Sequence, residues 1–306
     1  MKNKLLKKTV YLLITVLSFS FVLNSCKTGP EEDKQGDEIE ITEIDEDVLK
    51  DVEEAEKIFY SLPSPLESAM LIKSAGALFN EELLNPTENT SRYTTNKMMA
   101  LNLGIYTCDL SFSSLYDQTQ LVIDYMNAAK EMADGLGILE AINEETIHRL
   151  EENVNNREVI MDIVSETFLN SNSYLEDNEQ PAIASIVLVG GWIEGLYIAT
   201  QLVDMDEFEG DKLVGRIIDQ KLSVGIMLQL LKDNNDHPAV PGIVEQMEDL
   251  KVIFDKINIK TSDVQPEIDE STNVTVLKST VETDMTPEVF MELANKVEEI
   301  RTSYVK

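Results

Sequence analysis

The chain has few of the residue types on which common binding and catalytic sites depend. Its 306 residues include two cysteines, two histidines and one tryptophan. Two cysteines give no disulfide framework, so the fold must be stabilised by core packing. His148 and His237 lie at no metal-ligand spacing from each other or from a cysteine, which disfavours a zinc site. A single tryptophan, Trp192, gives no aromatic platform for capturing glycans.

Motifs of known active sites are also missing. The pair Gly190-Gly191 lacks the lysine and the preceding strand of a phosphate-binding loop, and no Gly-x-Ser-x-Gly elbow or His-Glu-x-x-His pair occurs. Cys108 has no histidine or basic residue beside it to lower its pKa, so a buried inert thiol is favoured over a nucleophile. We therefore expect a protein that is not an enzyme and that carries no cofactor or metal.

Basic residues are scarce, with 25 lysines and arginines against 57 acidic residues and a formal net charge of −32. Loss of residues 1–25 removes four lysines and no acid, which takes the charge to −36. Such a field repels phosphate backbones and anionic lipid head groups, so nucleic acid is not an expected partner. Cationic partners, divalent ions and basic protein surfaces remain open, although the solubility of an exported protein also explains this charge.

The first 26 residues have the layout of an export signal. Four lysines precede an uncharged apolar run over 9–23, which ends at Leu23-Asn24-Ser25-Cys26 and is short for a membrane-spanning helix. The sequence Leu-x-small-Cys resembles the lipobox of bacterial lipoproteins, in which the cysteine thiol accepts a diacylglycerol group. We predict a signal peptide over 1–25 and lipidation at Cys26, which leaves Cys108 without an intramolecular partner. The alternative is an ordinary secretory signal with an incidental cysteine.

The segment after Cys26 is strongly acidic and cannot collapse into a core. We predict a disordered, self-repelling tether over residues 26–50. An acidic stretch behind a lipidated cysteine resembles the surface-export signal of lipoproteins from Bacteroidetes-type bacteria, although a solvated linker without a sorting role fits equally well. These segments predict a protein of the bacterial cell envelope, held at the outer membrane by acyl chains that make attachment permanent.

From residue 51 to residue 306 the apolar residues recur at helical spacing. An all-α fold is predicted, as an irregular multi-helix bundle rather than a helical-repeat solenoid. Ser64-Pro65-Leu66-Glu67 has the order of a helix N-terminus with a capping box, and Thr286-Pro287 opens the last helix. Only 272–278 is strand-like, and 259–285 is predicted as a long loop. The predicted helices cover about 48–60, 65–80, 95–113, 115–134, 143–153, 156–170, 180–203, 207–232, 242–258 and 287–303.

The segment 182–203 is apolar enough to be taken for a membrane span. Glu194 near its middle and the absence of flanking basic residues argue against that, so we predict a central helix packed on all sides. Gly191, Gly195 and Ala199, spaced by four, would let a neighbouring helix approach closely.

Two acids lie in helices that are otherwise uncharged. Glu194 lies in the apolar segment above, and Asp109 is alone in 98–115. Tyr106 and Tyr197 are each three residues from one of these acids and therefore on the same helix face. One hypothesis is a buried polar pocket in which these four residues bind a small ligand or metal ion. The alternative is a structural network, in which Arg216 or Lys221 of the next helix, or Asn102, satisfies the acids.

Several segments together resemble a group of uncharacterised helical lipoproteins of Bacteroidetes-type bacteria. They are the Leu23–Cys26 lipobox and the stretches 58–71, 94–112 and 190–202, and the likeness covers most of 58–232. It implies a helical fold and an envelope location but no activity. Two hypotheses follow: a non-enzymatic binding or scaffold module with an envelope protein as partner, or a ligand-binding protein or enzyme that uses Asp109 and Glu194.

Overall fold

The computed structural model describes residues 64–139, 144–153, 155–261, 265–269, 274–278 and 281–306. All of them belong to one compact unit. The predicted signal peptide, Cys26, the acidic tether and the predicted helix over 48–60 lie outside the described residues.

The described residues are mainly helical, which confirms the predicted class in its main part. Nine α-helices occur within these residues, and each corresponds to a predicted helix. They are α1 (Pro65–Ser74), α2 (Asn96–Leu115), α3 (Thr119–Gly135), α4 (Glu144–Glu152), α5 (Arg157–Asp177), α6 (Pro181–Gln201), α7 (Lys212–Asp233), α8 (Pro241–Phe254) and α9 (Pro287–Val305).

The predicted long loop over 259–285 is wrong. Two antiparallel strand pairs occupy it: β1 (Ile259–Thr261) pairs with β4 (Val281–Thr283), and β2 (Gln265–Asp269) pairs with β3 (Val274–Lys278). The strand-like segment 272–278 was recognised, but its partner was not, because β2 carries a proline and two acids instead of alternating apolar residues. Antiparallel pairing joins backbone groups, so a strand can form on a partner whose side chains carry no strand signal.

The first helix begins as predicted but ends early. Ser64 Oγ accepts from the Glu67 amide at 3.2 Å, and Glu67 Oε2 accepts from the Ser64 amide at 2.7 Å, which completes the capping box. The helix stops at Ser74 because Gly76 takes a φ of 98°, a left-handed conformation that breaks the helical path. Two short 3₁₀ segments that the sequence did not predict, Glu81–Leu83 and Thr87–Arg92, carry the chain to α2.

Helix α6 is the centre of the bundle, as predicted. It is the one helix in the described part of the chain that is long and apolar enough to cross a membrane, and 89% of its most apolar window is buried inside the protein. Trp192 is 2% exposed, and its ring nitrogen donates to Gln220 Oε1 at 2.9 Å. Packing against neighbouring helices therefore accounts for the apolar composition of α6.

The tightest packing in the fold joins α6 to α2. A Cβ atom on Gly190 would lie 2.1 Å from the Leu101 carbonyl oxygen, and one on Gly104 would lie 2.1 Å from that of Val187. The predicted Gly191 and Gly195 also face α1, where a Cβ would meet Pro65 and Ser68 side chains at 2.9 and 2.8 Å, and a Cβ on Gly191 would in addition lie 3.1 Å from the Gly104 carbonyl oxygen of α2. Small residues thus allow close approach on two sides of α6, and the α2 side is the closer.

The hydrophobic core draws its members from residues 69–304. A chain of residues 27–306, without the predicted signal peptide and Cys26, contains every one of them. Because a unit with its own core can fold alone, this shorter chain is suitable for stability and binding measurements.

Candidate functional site

The structure brings the two predicted acids together in the core. Asp109 of α2 and Glu194 of α6 are both 0% exposed, and they are close enough for the charge of Glu194 to raise the pKa of Asp109. The close packing of α2 on α6 places them side by side. Such a pair is costly to bury unless other groups compensate at least one charge.

Arg301 of α9 supplies that compensation. Its Nε donates to Glu194 Oε2 and an Nη to Glu194 Oε1, both at 2.9 Å, in a bidentate ion pair. The same Nη also donates to the Leu83 carbonyl at 3.1 Å. Tyr197 lies against this arginine, with its ring centroid 4.7 Å from the guanidinium carbon. Glu194 therefore has a full set of structural partners.

The partners proposed from sequence were wrong in two cases. Arg216 pairs with exposed Asp219 at 3.5 Å, and Lys221 donates to the Ile257 carbonyl at 2.5 Å. The third proposed partner, Asn102, is linked to Asp109 indirectly. The Asn85 side-chain Nδ2 donates to Asn102 Oδ1, and the Asn85 backbone amide donates to Asp109 Oδ2, each at 3.1 Å. Asn102 thus reaches Asp109 through Asn85.

Arg301 was missed, although the sequence carries a signal for it. It lies four residues after Val297 and three before Tyr304, both of which are buried. These spacings place a charged residue on the apolar face of an amphipathic helix. An arginine at such a position requires an acid partner in the core, and the sequence offers Asp109 and Glu194 as candidates.

The surroundings of Asp109 favour its protonated form in the folded protein. Burial raises the pKa of Asp109 well above its ordinary value, and the charge of Glu194 raises it further, while Arg301 opposes the shift. As a carboxylate, Asp109 would leave Oδ1 buried with no donor. As a carboxylic acid it can donate to Glu194 instead. The cluster then contains one anion, one cation and one neutral acid, and its charges balance.

Replacing Asp109 by asparagine should make the protein less sensitive to pH. The ordinary pKa of the aspartate is 3.8. As the pH rises past that value the unfolded chain releases the proton while the folded chain retains it, so the free energy of unfolding falls with rising pH. Asparagine has no proton to release, and it can still donate to Glu194 and accept from Asn85.

We expect Asp109→Asn to match the wild type near about pH 4 and to become more stable than the wild type toward about pH 8. Urea unfolding of residues 27–306 across this range measures the difference. If the difference in the free energy of unfolding between the two proteins does not widen with rising pH, Asp109 is not protonated in the folded protein.

The predicted tyrosines contact other groups than their acids. The Tyr106 hydroxyl donates to the Pro86 carbonyl at 3.0 Å, and its ring packs 6.3 Å from that of Tyr93. Tyr106 is fully buried, whereas Tyr197 is half-buried beside Arg301. Cys108 is a buried free thiol, and burial raises its pKa well above the usual value, so this cysteine does not act as a thiolate nucleophile at neutral pH.

Three contacts fix the end of α9 to the rest of the fold. Besides the Arg301–Glu194 pair, Asn102 Nδ2 donates to the Tyr304 carbonyl at 2.9 Å, and the Tyr93 hydroxyl donates to the Val305 carbonyl at 3.3 Å. We call these contacts the C-terminal clasp. Two of them satisfy carbonyls that the last turn of a helix leaves without partners.

Three cavities in the described residues are lined by side chains other than those of Asp109, Glu194, Tyr106 and Tyr197. Within the same residues, no group of three or more histidine, cysteine or acidic side chains could hold a metal ion. The contacts of Asp109, Glu194 and Arg301 form a buried polar network that joins α2, α6 and α9.

Comparison of the chain with protein-family models, with curated proteins and with solved structures finds no match. Function must therefore be argued from the residues of this chain.

Proposed function

We propose that the protein is a bacterial envelope lipoprotein that is anchored in the outer membrane through Cys26 and acts as a non-enzymatic binding or scaffold module. The observation that carries the proposal is the order of the first 26 residues: four lysines, an apolar run over 9–23, and Leu23-Asn24-Ser25-Cys26. In this proposal the acidic segment after Cys26 is a tether that holds the helical body away from the membrane.

The described helical body is consistent with attachment by a lipid. Its one helix of sufficient length and apolarity, α6, is buried inside the body and is unavailable to a membrane. Membrane attachment is therefore assigned to the segment that precedes the body. The strong acidic charge favours a partner with a basic surface and disfavours direct contact of the body with anionic head groups.

The buried network supports the non-enzymatic form of the proposal. Both Glu194 oxygens accept from Arg301, and Asp109 Oδ2 accepts from the Asn85 amide. The alternative function, a ligand or metal site or an enzyme centre at these acids, would require Arg301 to leave Glu194. Releasing that partner leaves a buried charge without compensation, which is strongly unfavourable.

Replacing Cys26 by serine should abolish lipid attachment. Cells that produce the full chain are grown with radioactive palmitate, and the protein is then recovered and assayed for label and for membrane partition. We expect the wild type to be labelled and membrane-bound, and Cys26→Ser to be unlabelled, because serine lacks the thiol that accepts the lipid.

Cys108→Ser is the matched control, since Cys108 is the only other cysteine and is buried. This variant should keep both the label and the membrane partition. An unlabelled wild type, or a Cys26→Ser protein that is still labelled, would contradict the proposed anchor.

A further inference from the structure

A second feature of the body, away from the acid cluster, is an apolar cavity between α2, α3, α4, α5 and α6. Its volume is about 60 Å³. A mainly apolar cavity takes up apolar guests, because water finds few hydrogen-bond partners in it. Its walls are mainly aliphatic and aromatic, and include Leu103, Leu110, Met126, Phe168, Leu175 and Val187.

The hydroxyl groups in the lining do not change this apolar character. Thr107 donates to the Leu103 carbonyl at 2.7 Å, and Thr167 donates to the Ile163 carbonyl at 2.6 Å. These two of the three lining hydroxyl groups, the third being that of Ser171, are therefore satisfied by the preceding turn of their own helix.

Lys130 is the one charged side chain among the described residues that line the cavity. It is half-buried and makes no ion pair within the described part of the chain, although Asp134 lies one helical turn further on. A cation beside an apolar cavity is complementary to an amphiphile with a single anionic group.

We propose that this cavity binds a short- or medium-chain fatty acid. The ammonium of Lys130 pairs with the carboxylate, and the hydrocarbon chain lies in the cavity between the five helices. The cavity lies apart from Asp109 and Glu194, and the proposal does not depend on lipidation at Cys26. It gives the binding module a ligand of defined chemistry.

The size of the cavity sets the preferred chain length. A water-sized group needs roughly 10–15 Å³ of cavity volume, so a cavity of about 60 Å³ has room for a chain of about four to six carbon atoms. Affinity should therefore rise by about fourfold with each added methylene from acetate upward and level off near hexanoate.

Isothermal titration of residues 27–306 with hexanoate and with hexan-1-ol tests the site. We expect saturable binding of hexanoate and weaker binding of the alcohol. Lys130→Met keeps the apolar stem and removes the charge, so it should weaken hexanoate binding by about tenfold and remove the preference for the carboxylate. Lys212→Met is the matched control for a change in net charge, because Lys212 is an exposed lysine of α7, and it should leave binding unchanged.

Filling the cavity should abolish binding of both compounds. Ala129→Leu and Ser171→Leu each add bulk to the lining from a different helix, so a folded variant remains for study if one of them fails to fold. Circular dichroism and the thermal midpoint identify the folded variants. The proposal is overturned if the wild type shows no saturable hexanoate binding, if a folded filling variant still binds, or if Lys130→Met binds as the wild type does.

Discussion

Replacing Arg301 by methionine is expected to lower the free energy of unfolding by about 3–5 kcal/mol. Methionine has a similar stem but no charge, so Glu194 would stay in the core at 0% exposure without its cation. Asp109 cannot substitute as a partner, since it is itself an acid. Urea unfolding of residues 27–306 at neutral pH measures the loss.

The matched control is Arg149→Met. Arg149 also pairs with a glutamate on another helix, Glu166 at 3.2 Å, but both side chains are about half exposed. Exposed pairs contribute about 0–1 kcal/mol, so this variant should change little. Equal losses in the two variants would contradict the importance of burial at Arg301.

A double variant separates the ion pair from its neutral surroundings. Glu194→Gln combined with Arg301→Met removes both charges, and we expect it to be more stable than Arg301→Met alone, because no uncompensated charge stays buried. If the double variant were instead less stable than Arg301→Met, an uncompensated charge on Glu194 would not be the cause of the loss in Arg301→Met.

Replacing Gly190 by alanine is expected to lower the free energy of unfolding by about 1–3 kcal/mol or more. The added methyl group would lie 2.1 Å from the Leu101 carbonyl oxygen, which belongs to the backbone of α2 and cannot rotate away. The two central helices would have to separate, and the core between them would lose contacts. Thermal or urea unfolding of residues 27–306 gives the size of the effect.

Gly215→Ala is the control for this substitution. Gly215 lies within α7, and a Cβ there would meet nothing within 4 Å. Alanine is favoured over glycine in a helix by about 0.8–1 kcal/mol, so this variant should be more stable than the wild type. Opposite signs at the two glycines are the expected result, and a stabilised Gly190→Ala would contradict the close approach of α2 and α6.

The helices were predictable because their signals are local. Periodic apolar residues, the capping box at Ser64 and the proline after Thr286 all act within a few residues of the chain. Pairing of β2 with β3 was not predictable in this way, because the side chains of β2 carry no strand pattern. Strand pairing depends on which backbone segments meet, and that depends on the rest of the fold.

The candidate site was predicted in part. A lone acid in an apolar helix marks a buried polar group, and both Asp109 and Glu194 are buried and close enough to affect the pKa of Asp109. Their partner was sought in the next helix along the chain, whereas Arg301 follows Glu194 by 107 residues. Spacing along one helix cannot identify a contact across the bundle. The apolar face of α9 was the evidence that an arginine there needed an acid.

The Arg301–Glu194 pair of the C-terminal clasp also affects the order in which the core can be completed during synthesis. Ribosomes add about 5–20 residues per second, so the guanidinium that pairs with Glu194 is made roughly 5–20 seconds after the glutamate itself. Until Arg301 has been added, burial of Glu194 would leave a carboxylate without a cation, so the contact of α6 with α2 at this point is completed only when the last helix is present.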